Sequence, residues 1–216
     1  MIALWISALG MLASIATAFF VAPEEASQGI VQKIFYIHVS SAMTMYLGFF
    51  ISFLSGIFYL AERKTFWDEL GCAASEVGWL FCLVVLLTGP LWARPIWGTF
   101  WTWEPRLTTT FLLFLIYSGY LFLRNVMEGA PRKPLASALI AIIAFIDVPL
   151  IHYSVKLWRG VHPTVLSNRD GLPRSMSLTL AMTVVSLFAF FSVLCLQRMR
   201  LERMKNAIQS IAERDA

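Results

Sequence analysis

GCAASEVGWLFCLVVLLTGPL, residues 71–91, decides the fold. The run is 21 residues long and carries one charge, Glu76. A helix needs about 20 apolar residues to cross the hydrocarbon layer. Backbone groups in lipid must bond within their own segment, so such a run is a helix. Working outward, five further apolar runs fall at 3–22, 34–60, 107–124, 135–154 and 175–196. Polar joints separate them: Pro23-Glu24-Glu25, Glu62-Arg63-Lys64, Pro131-Arg132-Lys133-Pro134 and Gly171-Leu172-Pro173-Arg174. Hydrophobic residues make up 58% of the chain and charged ones 14%, with a mean hydropathy of +0.70. This is the composition of an integral membrane protein. The expected fold is all-α, a bundle of six transmembrane helices forming one domain over residues 1–216. No length remains for a separate soluble catalytic domain.

The three cysteines, Cys72, Cys82 and Cys195, lie in apolar runs and form no C-x-x-C pattern. That argues against a redox dithiol and against covalent c-type haem attachment. The N-terminus lacks a basic region ahead of its apolar run, so it reads as a retained first helix. With six spans both termini share a side. That side holds Arg63, Lys64, Arg124, Arg132, Lys133 and the tail residues Arg198, Arg200, Arg203, Lys205 and Arg214. The other side holds Lys33, Arg94, Arg106, Lys156, Arg159, Arg169 and Arg174. Ten against seven places both termini, with the tail 198–216, in the cytoplasm. The basic balance then faces anionic lipid, and nucleic acid is not an expected partner.

Between the third and fourth spans stands Trp97-Gly98-Thr99-Phe100-Trp101-Thr102-Trp103-Glu104-Pro105-Arg106. With Trp92 it places four of the chain's eight tryptophans within residues 92–103. An aromatic belt at a membrane interface needs no such density. Flat polarizable rings beside Glu104, Arg94 and Arg106 suit a large planar anionic ligand, and haem fits that description. Trp101 and Trp103 are the expected stacking platform. Trp97 and Trp101 would share a face if the segment were helical. Glu104 and Arg106 either pair with each other or contact the ligand. Pro105 disfavours helix at Glu104, so the fourth span should begin after it.

Only three histidines exist: His38, His152 and His162. His38 lies near the start of the second span and His162 in the connection after the fifth, beside Trp158 and Arg159. Span counting brings both to the side of the Trp-rich segment. Haem iron commonly takes axial imidazole, so His38 and His162 are the expected ligands. Each requires a partner for its second ring nitrogen. His152, at the end of the fifth span, is either a third haem contact or a helix-end polar residue that orients the site, the second being the expected role. Asp147 is a carboxyl inside a predicted span and should face the protein interior. It is either a polar contact under the pocket or a buried group paired with another helix. Pro149 should interrupt the helix beside it. Glu76 reads as a snorkelling or capping group.

Four segments carry a resemblance: Tyr36-Ile37-His38-Val39, the stretch from Trp97 to Thr108, Pro149-Leu150-Ile151-His152-Tyr153-Ser154, and Trp158-Arg159-Gly160-Val161-His162. Together they resemble the tryptophan-rich membrane haem-handling proteins, and among these the haem exporter C family (CcmC) of cytochrome c maturation. The likeness runs over about residues 30–200. The chain departs from the family pattern at Glu104 (Asp there), Pro105 (Ala) and Asp147 (Asn). The resemblance implies His38 and His162 as axial ligands of a non-covalent haem b. It implies the motif 92–106 as a periplasmic haem platform and docking surface for the haem chaperone CcmE. It further implies an inner-membrane complex with the ATP-binding cassette subunits CcmA and CcmB and the small peptide CcmD, and a carrier, not an enzyme. Three other readings compete, one of them the related larger haem–cytochrome ligase family, whose members share a tryptophan-rich motif but carry more spans and further His pairs than this chain holds. A membrane b-type cytochrome would hold His pairs deep in the bundle, whereas these His gather at one interface. A permease subunit for another substrate would leave the Trp segment unexplained.

Overall fold

The computed structural model describes residues 2–25, 27–158, 162 and 172–212. Among them are seven α-helices: α1 (Ile2–Phe20), α2 (Ile34–Glu62), α3 (Thr65–Trp97), α4 (Pro105–Val126), α5 (Lys133–Ala144), α6 (Asp147–Trp158) and α7 (Arg174–Ala212), with a short 3₁₀ turn at Ile30–Lys33. Six stretches are long and apolar enough to cross a membrane, α5 and α6 together making the fifth, Lys133–Val155. The all-α six-span fold expected from the sequence is the fold found.

Several boundaries differ from expectation. The third helix starts at Thr65, not near 71, and runs through Pro90 and Pro95 to Trp97. Trp92 and Trp97 therefore stand on helix, and only residues 98–104 form the connection. Its end is a glycine cap: Gly98 takes φ +77°, and its amide reaches the Arg94 carbonyl at 3.0 Å. The fifth span breaks at Phe145–Ile146. Pro149 has no amide for the Phe145 carbonyl, which instead accepts the Val148 amide at 3.1 Å. The expected tail 198–216 continues α7 without interruption as far as Ala212.

Hydrophobicity does not drive helices together in lipid; small residues do, by letting backbones approach. A Cβ on Gly48 of α2 would meet Gly78 Cα of α3 at 2.9 Å, and one on Gly56 would meet the Ala138 carbonyl of α5 at 2.9 Å. Ser52 and Ser75 hydroxyls bond across the same α2–α3 seam at 2.6 Å. Above it Phe49 stacks on Tyr117 with ring centres 3.8 Å apart. Met45, Cys82, Leu113, Ile151, Leu187 and Phe191 complete the core. Helix α1 packs at the edge, where Lys33 Nζ donates to the Phe19 carbonyl at 2.6 Å and ties its C-terminus down.

The end of the bundle near residues 62–69 and 124–137 is locked by buried charge. Arg124, 7% exposed, donates to both Asp68 oxygens (2.6 and 3.2 Å), to Ser137 (2.9 Å) and to Glu202 (2.9 Å). Lys133 lies 3.6 Å from Glu202, and Arg203 pairs with Glu69 at 3.1 Å. Helices α3, α4, α5 and α7 meet here. Glu76 lies well inside α3 and so caps no helix end; Arg198 Nε pairs with it at 2.6 Å. On the rim Lys205 bonds Glu128 at 2.7 Å and holds that carboxyl below its ordinary pKa.

Candidate functional site

The opposite end of the bundle carries a cavity of about 500 Å³ lined by α2, α3, α4, α6 and His162. Its walls are mostly apolar, with a few convergent polar groups, as expected of a small-molecule site. His38, Trp92, Trp97, Trp101, Arg106, His152 and His162 all reach it. The sequence-derived convergence of these residues on one end is thus a geometric fact.

His38 sits just over a turn into α2 and is buried. Its Nδ1 lies 2.9 Å from Thr88 Oγ1 on α3. Thr88 gives its own proton to the Val84 carbonyl at 2.7 Å, so its oxygen accepts the His38 Nδ1 proton. That leaves the Nε2 lone pair available, the tautomer a metal ligand needs. Trp92 packs edge-on against the ring at 5.8 Å. Trp92 is held in turn by Gln28, whose Oε1 accepts its indole proton at 2.9 Å. The loop carrying Gln28 is pinned by Glu25. The Ser27 hydroxyl, then the Ser27 and Gln28 amides, bond that carboxylate and lower its pKa.

His162 belongs to the connection between α6 and α7, yet α4 places it. Glu104 caps α4 in an extended conformation with Pro105 at the first helical position, as the proline predicted. Glu104 Oε2 accepts the His162 backbone amide at 3.2 Å. Arg106 Nη1 donates to His162 Nδ1 at 3.2 Å, while its Nε and Nη2 reach the Ile151 and His152 carbonyls at 3.4 and 3.3 Å. Glu104 and Arg106 therefore do not pair with one another; both grip His162. His152 serves here through its backbone carbonyl.

The imidazoles of His38 and His162 lie near each other, with ring centres 6.5 Å apart and planes 30° apart. The lining, mostly apolar with two imidazoles and the Arg106 guanidinium, fits an apolar macrocycle with acidic substituents, which His38 and His162 would hold.

The tryptophans divide. Trp97 stands edge-on to His162 at 6.5 Å, and Trp101 lines the cavity with its indole Nε1 buried and without a partner. Trp103 is 75% exposed and lies outside the lining. Its ring crosses Trp101 at 80°, so one flat ligand stacks on one of the two, not both. The 98–104 segment is not helical, and the helical spacing of Trp97 and Trp101 does not apply. Arg94 bonds the Gly98 carbonyl and covers Phe100 at 5.5 Å, so it serves the loop. Trp158 is exposed, and Arg159 lies outside the described residues. Asp147 is 5% exposed, with Oδ2 unpartnered, one turn below the cavity-lining Ile151. Sequence reasoning missed Thr88 and Gln28. A hydroxyl in an apolar run was the only signal for Thr88, and nothing linked it to a histidine 50 positions away.

The family model for heme exporter protein C matches residues 1–214. The heme exporter protein C of Bradyrhizobium diazoefficiens is 32% identical over 88% of this chain and 73% of its own length. Its namesake in Paracoccus denitrificans is 29% identical over 91% and 83%. The Escherichia coli protein of the same name is 28% identical over 84% and 74%. A match along nearly the whole chain, carried by a six-span bundle with this cavity at one end, makes the chain a member of the heme exporter protein C family.

Proposed function

We propose that this membrane protein holds haem b without a covalent bond in the cavity between His38 and His162 and hands it on. The observation that carries the reading is the pair of imidazoles, ring centres 6.5 Å apart, both lining one mostly apolar cavity. In this reading the two histidines are axial ligands, and Thr88 fixes the His38 tautomer. Trp97 and Trp101 face the macrocycle, and Trp92 and Gln28 close one flank. Arg106 supplies the charge for a propionate, and Glu104 positions the His162 backbone. Exposed Trp103 is left for a partner. The resemblance to the family implies presentation to the chaperone CcmE at the periplasmic face of the bacterial inner membrane, in a complex with CcmA, CcmB and CcmD, and the Lys/Arg bias puts both termini in the cytoplasm. The chain carries and presents its cargo and does not convert it. All three histidines lie at one end and the other end is closed by ion pairs. A transmembrane electron path would lack its second haem site.

The test is haem titration of the detergent-purified protein. A Soret band saturating near one haem per chain is expected, with His38→Ala and His162→Ala both weakened. Trp101→Ala with Trp103→Ala should bind less while still inserting in the membrane. Normal binding by both histidine variants sinks the ligand assignment.

A further inference from the structure

We infer that Arg106 is an exchangeable clasp on His162, so that recognition of an acidic group on the cargo is what frees the second axial imidazole. The inference rests on the haem reading above and adds an order of events to it.

A neutral imidazole has one N–H and one lone pair. A guanidinium only donates. With Arg106 Nη1 donating to His162 Nδ1 at 3.2 Å, the lone pair of that ring points at Arg106 and the proton sits on Nε2. Ligation through Nδ1 requires Arg106 to leave that atom. Ligation through Nε2 requires the proton to move to Nδ1, where it would face the N–H of Arg106. Either way the contact must be given up. His38 has no such obstacle, because Thr88 Oγ1 accepts from its Nδ1. The two ligands are therefore unequal: one is set, the other is held.

Arg106 has reason to move. It lines the cavity, and its remaining contacts are long bonds to the Ile151 and His152 carbonyls. Among the described residues no carboxylate lies within ion-pair distance of it. A guanidinium in an apolar enclosure gains most from a bidentate carboxylate. A cargo carboxylate would draw it off the imidazole, and the anchoring carbonyls on α6 allow a swing without moving the helix. The Glu104 bond to the His162 amide keeps the backbone in place during the exchange.

The experiment compares ferric haem with its dimethyl ester, which keeps the macrocycle and iron but loses both carboxylates. Each is added to purified wild-type protein, and ligation is read by visible absorption and electron paramagnetic resonance. Haem should give a low-spin, two-imidazole spectrum. The ester should give a high-spin, one-imidazole spectrum, its low-spin fraction down about tenfold or more, the weight of one retained charge-assisted bond. In Arg106→Leu the ester should return to low spin, because no guanidinium then donates to His162 Nδ1. A low-spin ester complex in the wild-type protein overturns the clasp, and so does a high-spin ester complex in Arg106→Leu. If haem itself gives no two-imidazole spectrum, the ligand assignment fails, a separate result that removes the basis of the inference.

Discussion

Replacing Thr88 by Val keeps the shape of the side chain and deletes one oxygen. In the wild-type protein that oxygen lies 2.9 Å from His38 Nδ1, and the ring is buried. Without it the Nδ1 proton has no acceptor, which costs about 1–3 kcal/mol. The imidazole escapes that cost by moving its proton to Nε2, but then Nε2 has no lone pair for a metal. The penalty therefore appears on haem binding more than on folding. Converted to affinity, it is a loss of roughly 5- to 150-fold, in line with the 10- to 100-fold typical of an outer-shell partner of a metal-ligating histidine. The Val84 carbonyl loses the Thr88 hydroxyl proton but keeps its helical amide bond, so the fold should hold. The assay is equilibrium haem titration of purified Thr88→Val and Thr88→Ser, followed in the Soret band. Thr88→Ser retains the acceptor and should bind as the wild type does. Wild-type affinity in Thr88→Val refutes the tautomer argument. Equal weakening in both variants refutes it too, since packing and not the hydroxyl would then be responsible.

Two further predictions concern the bundle. Gly48→Ala places a methyl 2.9 Å from Gly78 Cα and 3.0 Å from the Ala74 carbonyl. Both are backbone atoms, so α2 and α3 must separate, at about 1–3 kcal/mol; a thermal melt in detergent should fall, while Gly10→Ala, with nothing within 4 Å, should not. An unchanged melt for Gly48→Ala would contradict the close approach. Arg124→Leu strands Asp68, whose two oxygens both bond Arg124, and should cost about 3–5 kcal/mol. The double variant Arg124→Leu with Asp68→Leu should recover part of that loss in denaturant unfolding, and a double variant less stable than the single would contradict the stranding of Asp68.

The six spans were legible because lipid imposes a minimum apolar length, and the runs meet it. The start of α3 was not. Asp68 and Glu69 look like the end of a loop, but Arg124 and Arg203 neutralise them inside the bundle, from 56 and 134 positions away. Charge that is paired across such distances has no signature along the chain. The break in the fifth span was foreshadowed by Pro149, a local cause with a local effect. At the site, residue types were readable: two histidines, a run of tryptophans and an arginine. Their division of labour was not. Trp101 and Trp103 are two positions apart, yet one faces the cavity and the other faces away, because the 98–104 segment follows no regular period. Glu104 and Arg106 looked like mutual partners and instead reach a common third residue.

That shared grip on His162 has a consequence for how such proteins tolerate recombination. His162, which follows α6, is held by the first turn of α4 and its cap through one backbone and one ring contact. Two stretches more than fifty positions apart thus behave as a single inherited part. A chimera that took the tryptophan stretch from one relative and the later connection from another would insert normally, since hydropathy is indifferent to the swap. It would nonetheless join halves that were never fitted to each other, and the histidine would be present in the chain but absent from its place.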